Sequence, residues 1–276
     1  MTPAYQCTLK TSAAMKGRGL HTGEECEISI APAPPNTGVV FATSQGEIPA
    51  LVRNVLDTQR AISLRSGNAE VHTVEHLLAA FAGLGVDNVR VEVSGPEIPA
   101  ADGSALPFVE LIESAGIEEQ TAEAKTIQPG EPVWVADAGK YLLAAPASGF
   151  RVSALILFQH PMIGEQAISL TVDPAVFKRE IAPARTFCTA DEVEQVLSQG
   201  LGRGGAEDNV VVVHDNRCSI PLRFRDEFVR HKVLDVIGDL SLIGGRLHAD
   251  VVAIRTSHAL NVALAEKIVR KGWQGG

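Results

Sequence analysis

The first part of the chain alternates apolar and polar residues in short runs. Residues 4–13, 25–31 and 38–43 read as strands, separated by turn clusters such as Pro32, Pro34, Pro35 and Asn36. Strand-like alternation continues through 51–64. The period then changes. Val74, Leu77, Leu78, Phe81 and Leu84 fall at helical spacing, which predicts a helix over 72–84 that Gly83 and Gly85 bring to an end. A strand at 88–93 and a helix at 106–115 follow. Residues 118–132 are polar, carry Pro129, Gly130 and Pro132 and show little periodicity, so they are the expected linker. Beyond them the grammar repeats. Strands are expected at 133–136, 140–145 and 152–158, and a short helix at 174–181. A glycine-rich stretch at 200–205 precedes an apolar run at 210–213. A long amphipathic helix at 225–243, a strand at 249–254 and a helix at 258–270 close the chain.

The two halves also echo each other residue by residue. Val74, His76 and Gly83 fit V-x-H-x6-G, and so do Val229, His231 and Gly238, each on a predicted helix. The echo implies two copies of one α+β unit with their histidine helices face to face. A boundary in the polar stretch divides the chain into domains 1–122 and 123–276.

Composition narrows the function classes. Apolar residues make up 45% of the 276 and charged residues 21%, an ordinary globular mix with enough core to need neither disulfides nor oligomerisation. A monomer is therefore expected. The formal charge is −9, which argues against a nucleic-acid groove, since phosphate backbones want a basic surface. A local basic pocket for a small phosphate ligand is still allowed. Cys7, Cys26, Cys188 and Cys218 include no C-x-x-C pair, so they read as free thiols in a reducing compartment rather than a thiolate metal site. The first ten residues hold no apolar secretory segment, and no apolar run approaches the roughly 20 residues that span a bilayer. The expected location is the cytoplasm, with transient membrane or lipid contact through a surface patch left open.

Four groups of residues carry candidate chemistry. His72-Thr73-Val74-Glu75-His76 reads as H-x-x-E-H, in which two histidines one helical turn apart grip a metal and the glutamate holds a water. His231, Asp235 and Asp239 stand at i, i+4 and i+8 on the 225–243 helix, an imidazole and two carboxylates on one face. Val229, Val233, Val236, Ile237 and Leu240 take much of the rest of that helix, so the polar stripe must face something other than a dry core. His258 sits where a strand gives way to a helix and is either a cap or a general acid. Thr186, in Ala184-Arg185-Thr186-Phe187, offers a hydroxyl to an oxyanion.

In order along the chain, these segments resemble one family, the UDP-3-O-acyl-N-acetylglucosamine deacetylases. The resemblance runs from about residue 9 to about residue 262. It is carried by Gly19-Leu20-His21-Thr22-Gly23, Thr73-Val74-Glu75-His76-Leu77 and Gly95-Pro96-Glu97-Ile98-Pro99 with Asp102-Gly103-Ser104. Ala184-Arg185-Thr186-Phe187, Gly204-Gly205 with Asp208-Asn209, the run Leu222 to Leu240, and Ser257-His258-Ala259-Leu260-Asn261 continue it. The resemblance implies two α+β domains of similar topology, with the helices sandwiched between two sheets. It implies zinc held by His76, His231 and Asp235, which would leave His72 outside the site.

The implied reaction is hydrolysis of the N-acetyl group of an acylated UDP-amino sugar, a step of lipid A synthesis. Glu75 takes the proton of the attacking water, and Thr186 and zinc stabilise the oxyanion. His258 protonates the leaving amine, Asp239 orients His258, and Lys232 adds positive charge. An insert near 187–213 would bind the acyl chain, with Phe187, Leu197 and Leu201 lining it. Phe158 would stack on the base. Arg255 stands near the diphosphate where the family commonly has lysine, and Thr256-Ser257 replaces the more usual Ser-Gly before the histidine. Two other readings stay open: a zinc amidase of this fold acting on a different N-acetyl sugar, and a catalytically inactive scaffold that binds nucleotide sugars or lipid.

Overall fold

The computed structural model describes residues 4–271, and its two largest sheets share one strand order. In the first, the spatial order is Ala13–Arg18, Glu25–Pro32, Val89–Ser94, Val39–Thr43, Gly46–Pro49. In the second it is Val133–Asp137, Lys140–Pro146, Ala249–Ile254, Phe150–Leu157, Glu165–Thr171. The last strand in sequence lies third in space in both sheets. It runs antiparallel to one neighbour and parallel to the other. A parallel neighbour requires a long crossover, usually through a helix.

The helices are α1 (Glu75–Leu84), α2 (Leu106–Ala115), α3 (Pro174–Val176), α4 (Ala190–Ser198), α5 (Glu227–Ser241) and α6 (His258–Lys271). The crossover of the first sheet contains α1 and that of the second contains α5, so each unit folds its histidine helix by the same route. α2 and α6 follow the third-place strand of their own sheets and lie against them. The fold is α+β and duplicated.

Burial explains the layering. Alternate residues of each sheet are buried, as in Cys26, Ile28 and Ile30 or Ala249, Val251 and Ala253, so each sheet turns one face inward. α1 and α5 are buried on nearly all sides, which places them in the middle. One contiguous core joins Leu77 and Phe81 of α1, Val236 and Leu240 of α5, and the inner faces of both sheets. The glycines of the V-x-H-x6-G echo let this packing happen. A Cβ on Gly238 would lie 2.1 Å from the Glu75 carbonyl oxygen, so the two central helices touch backbone to backbone there. A Cβ on Gly83 would lie 2.3 Å from the Phe177 ring, which the π-helical turn Phe177–Ile181 lays across α1.

Each unit carries a small three-stranded insert ahead of its histidine helix. The first is built from Val55–Asp57, Ser63–Ser66 and Ala69–His72. The second uses Phe187–Thr189, Val211–His214 and Arg217–Cys218, with α4 on top.

Several expectations need correction. The helix predicted from residue 72 begins at Glu75, because His72 ends a strand and Thr73 turns the chain with φ +58°. The run 51–64 is broken by a 3₁₀ turn at Val52–Asn54 and divides into separate short strands. The expected linker is largely paired. Ile117–Glu123 runs against Tyr5–Leu9, and Thr126–Ile127 pairs with Arg246–Leu247. Its strand was hidden because only Ile117, Gln120 and Ala122 turn partly inward and the rest are exposed. The strand Glu165–Thr171 and helix α4 had no expectation at all.

Candidate active site

The buried ends of α1 and α5 meet and bring distant side chains together. His76 lies in the first turn of α1, and His231 and Asp235 lie one turn apart on α5. The His76 Nε2 is 3.7 Å from Asp235 Oδ1, and the His231 Nε2 is 3.4 Å from the same oxygen. The two imidazoles stand edge to face with centroids 5.0 Å apart. One ligating atom from each of the three residues lies within 4.8 Å of the other two.

The surroundings prepare these groups for a cation. His231 Nδ1 lies 3.1 Å from the Ala184 carbonyl, a partner that makes Nδ1 the donor and leaves Nε2 its lone pair. Burial depresses the pKa of both imidazoles, that of His76 to about 3, so both are neutral. Burial alone would raise the Asp235 carboxyl. The Lys232 ammonium, 2.9 Å from Oδ2, holds it well below the usual carboxylate range instead. Its other oxygen, Oδ1, is buried with no hydrogen-bond partner among the described residues. An ionised oxygen in that position is costly unless a cation completes it. Two neutral imidazoles and one carboxylate are a donor set that suits zinc.

Three further groups belong to the expected site. Glu75 is 3% exposed, its Oε2 accepts the Ile62 N–H at 3.0 Å, and burial pushes its carboxyl up to about 7. His258 Nδ1 is 2.7 Å from Asp239 Oδ2, which also accepts the Asn261 side-chain amide at 2.8 Å. Burial would lower the His258 pKa, but the Asp239 carboxylate overrides it and raises it to about 9. Thr186 is held through its backbone: its N–H donates to Gly103 O at 2.8 Å and its carbonyl accepts from Val211 N–H.

The wall beside His231 is aromatic. Phe187 contacts Phe158, Phe228 and His231 with ring centroids 5.7, 4.7 and 6.2 Å apart, and the Lys232 ammonium lies over the Phe187 ring. Leu201 is half-buried in the glycine-rich stretch, and Leu197 is 52% exposed on α4. Arg255 is exposed, has φ +54°, and makes no side-chain hydrogen bond or ion pair among the described residues. His72 is not part of the cluster: it pairs with Ser63 Oγ at 2.8 Å and approaches Glu70. A cleft of about 500 Å³ opens elsewhere, at the far ends of α1 and α5 among Phe81, Leu240, Phe150 and Lys125. It holds no comparable group of reactive side chains, whereas His76, His231 and Asp235 could together hold a metal ion.

Two buried carboxylates escaped the sequence reading as individual residues. Glu227 is fully buried and forms a bidentate pair with Arg185 while accepting the backbone N–H groups of Arg185 and Arg223. This pins the Thr186 segment to the start of α5. Glu97 is likewise fully buried. Both stand inside segments that carry the family resemblance, the one signal that could have singled them out.

Comparison with known proteins agrees on one family. Residues 6–270 match the family described as UDP-3-O-acyl N-acetylglycosamine deacetylase. Among curated relatives, the UDP-3-O-acyl-N-acetylglucosamine deacetylase of Myxococcus xanthus (strain DK1622) is 44% identical over 270 residues, covering 96% of this chain and 86% of the relative. Proteins of the same name from Anaeromyxobacter sp. (strain Fw109-5) and Syntrophotalea carbinolica are 42% and 40% identical, each covering 98% of this chain and 90% of the relative.

Proposed function

Because the chain belongs to the UDP-3-O-acyl N-acetylglycosamine deacetylase family, we propose that it removes the N-acetyl group of UDP-3-O-acyl-N-acetylglucosamine by zinc-dependent hydrolysis, in lipid A biosynthesis. The products are the free amine, still carrying its UDP and acyl groups, and acetate. The observation that carries this reading is Asp235 Oδ1, buried without a hydrogen-bond partner among the described residues and facing the Nε2 atoms of His76 and His231, which come from opposite units. A zinc ion on those three residues would supply Lewis acidity, polarising a carbonyl and lowering the pKa of water.

The protein's own groups divide the proton work. Glu75, with a carboxyl near 7, takes a proton from the attacking water. The Thr186 hydroxyl donates to the oxyanion that forms on the acetamide carbonyl. His258, cationic at neutral pH through Asp239, gives its proton to the departing amine. Lys232 keeps Asp235 ionised and adds positive charge beside the site. An inactive scaffold would have no use for a base and an acid tuned in opposite directions within one pocket.

Substrate binding extends outward from there. Phe158 stacks on the base, Arg255 meets the diphosphate, and the insert over 187–213 binds the acyl chain with Phe187, Leu197 and Leu201. The aromatic contacts of Phe158 and Phe187 support this placement. The boundary between the halves falls at 122–123, supported by strand pairing that changes partners within a few residues of it. The reaction is placed in the cytoplasm, in keeping with four free cysteines and no helix long and apolar enough to cross a membrane among the described residues. The test is acetate release from UDP-3-O-acyl-N-acetylglucosamine, with and without a chelator. Release that ends with the chelator and returns with zinc is expected; no release from the zinc-loaded protein would refute the proposal.

A further inference from the structure

Glu97 is fully buried and has no part in the chemistry above, yet four donors converge on its carboxylate. The His21 N–H approaches at 3.0 Å and the Thr22 N–H at 2.9 Å. The Thr22 hydroxyl lies at 2.8 Å and the Thr73 hydroxyl at 2.7 Å. These donors belong to two different structures.

His21 and Thr22 lie in the 19–23 loop, which supports the glycine-rich stretch of the insert. Gly204 N–H donates to Leu20 O at 3.0 Å, Arg203 N–H to His21 O at 3.3 Å, and Gly202 N–H to His21 Nδ1 at 3.3 Å. The contact is backbone on backbone, since a Cβ on Gly204 would lie 2.0 Å from Gly19 O. Gly19 is pressed from the other side, where a Cβ would lie 2.2 Å from Glu97 Oε2. Thr73, the fourth donor, adopts φ +58°, a conformation unfavourable to a β-branched residue, and stands two positions before Glu75. One carboxylate therefore holds both the seat of the insert and the turn that delivers Glu75.

We propose that Glu97 is a positioning residue that couples the seating of the glycine-rich stretch to the placement of Glu75. The inference rests on the reading of Glu75 as base and of residues 187–213 as the acyl-binding insert. A carboxylate is required because all four partners donate and a carboxylate only accepts. Glutamine has the same shape, but either orientation of its amide sets an NH₂ against a backbone N–H.

Three variants of the zinc-loaded chain separate the two arms. In Glu97→Gln and Thr22→Val, amide hydrogen exchange at Gly202 and Gly204 is expected to quicken at least about tenfold. In Thr73→Val it stays at the wild-type rate. Glu97→Gln and Thr73→Val lower kcat about tenfold or more at unchanged zinc content, while Thr22→Val acts instead on KM, raising it for a long-acyl substrate more than for a short-acyl one. Exchange in Glu97→Gln equal to wild type, or activity lost only in step with zinc content, overturns the coupling. If Glu97→Gln does not fold, the threonine variants decide: without their split between exchange and kcat the proposal fails. A wild-type chain that releases no acetate refutes the functional reading instead, and the exchange rates still show whether Glu97 seats the insert.

Discussion

Glu75 and His258 owe their protonation states to neighbours rather than to their own chemistry. Burial lifts Glu75 to about 7, and Asp239 lifts His258 to about 9 against the pull of burial. Replacing Glu75 by alanine is expected to keep the bound zinc and lower kcat roughly a hundred- to ten-thousand-fold, the usual worth of a positioned acid or base. Metal analysis beside the rate measurement checks it; near-normal turnover would remove Glu75 from its role. His258 is the protonated partner, so kcat/KM should fall as pH rises through about 9. Asp239→Asn removes the anion that sustains that value, and the alkaline limb should move down toward the ordinary 6.5 and below it. The same sign governs stability. The folded pKa exceeds the unfolded one, so the His258–Asp239 pair contributes fully below 6.5 and loses its contribution as pH passes about 9. At this scale helical spacing put His231 and Asp235 on one face, because i and i+4 align, while only the family resemblance joined His76 to them. It could not display Glu97 or Glu227 as buried hubs, since nothing in their spacing separates an enclosed carboxylate from a solvated one.

At the scale of elements, the glycine of each V-x-H-x6-G motif has a definite task. Gly238 faces the Glu75 carbonyl so closely that alanine would force α5 away from α1. Gly238→Ala is expected to destabilise the fold by about 1–3 kcal/mol, the usual cost of overpacking, and to weaken zinc binding, because the ligands sit on the two helices being separated. Thermal unfolding and zinc titration test this together; unchanged zinc affinity would show that the helix spacing does not set the site. The amphipathic runs that became α2, α5 and α6 were legible because their apolar period matches their burial. The start of α1 was not. Val71, Thr73 and Val74 are buried, so apolar periodicity ran on through a strand and a left-handed turn that belong to no helix. That turn also explains why H-x-x-E-H misleads here: with His72 on a strand, the two histidines never share a helix face.

For the molecule as a whole, duplication was visible in a pattern of only three residues, and the shared sheet order shows how deep it goes. The three proposed zinc ligands come from α1 and α5, so an ion bound there would hold the two units together and bind only the folded state. Chelation should therefore lower the melting temperature by several degrees. Ligand at a thousand times its Kd is worth about 4 kcal/mol, and a scan with zinc restored should recover it. An unchanged melting temperature would place the metal outside the α1–α5 junction. The segment first taken for a tether ends one ladder at Glu123 and begins another at Thr126, leaving only Ala124 and Lys125 between them. Covalent continuity at that point is nearly redundant. Residues 4–124 and 125–271, produced as separate polypeptides in one cell, should find each other through their common interior and recover acetate release, much as two subunits assemble from two genes.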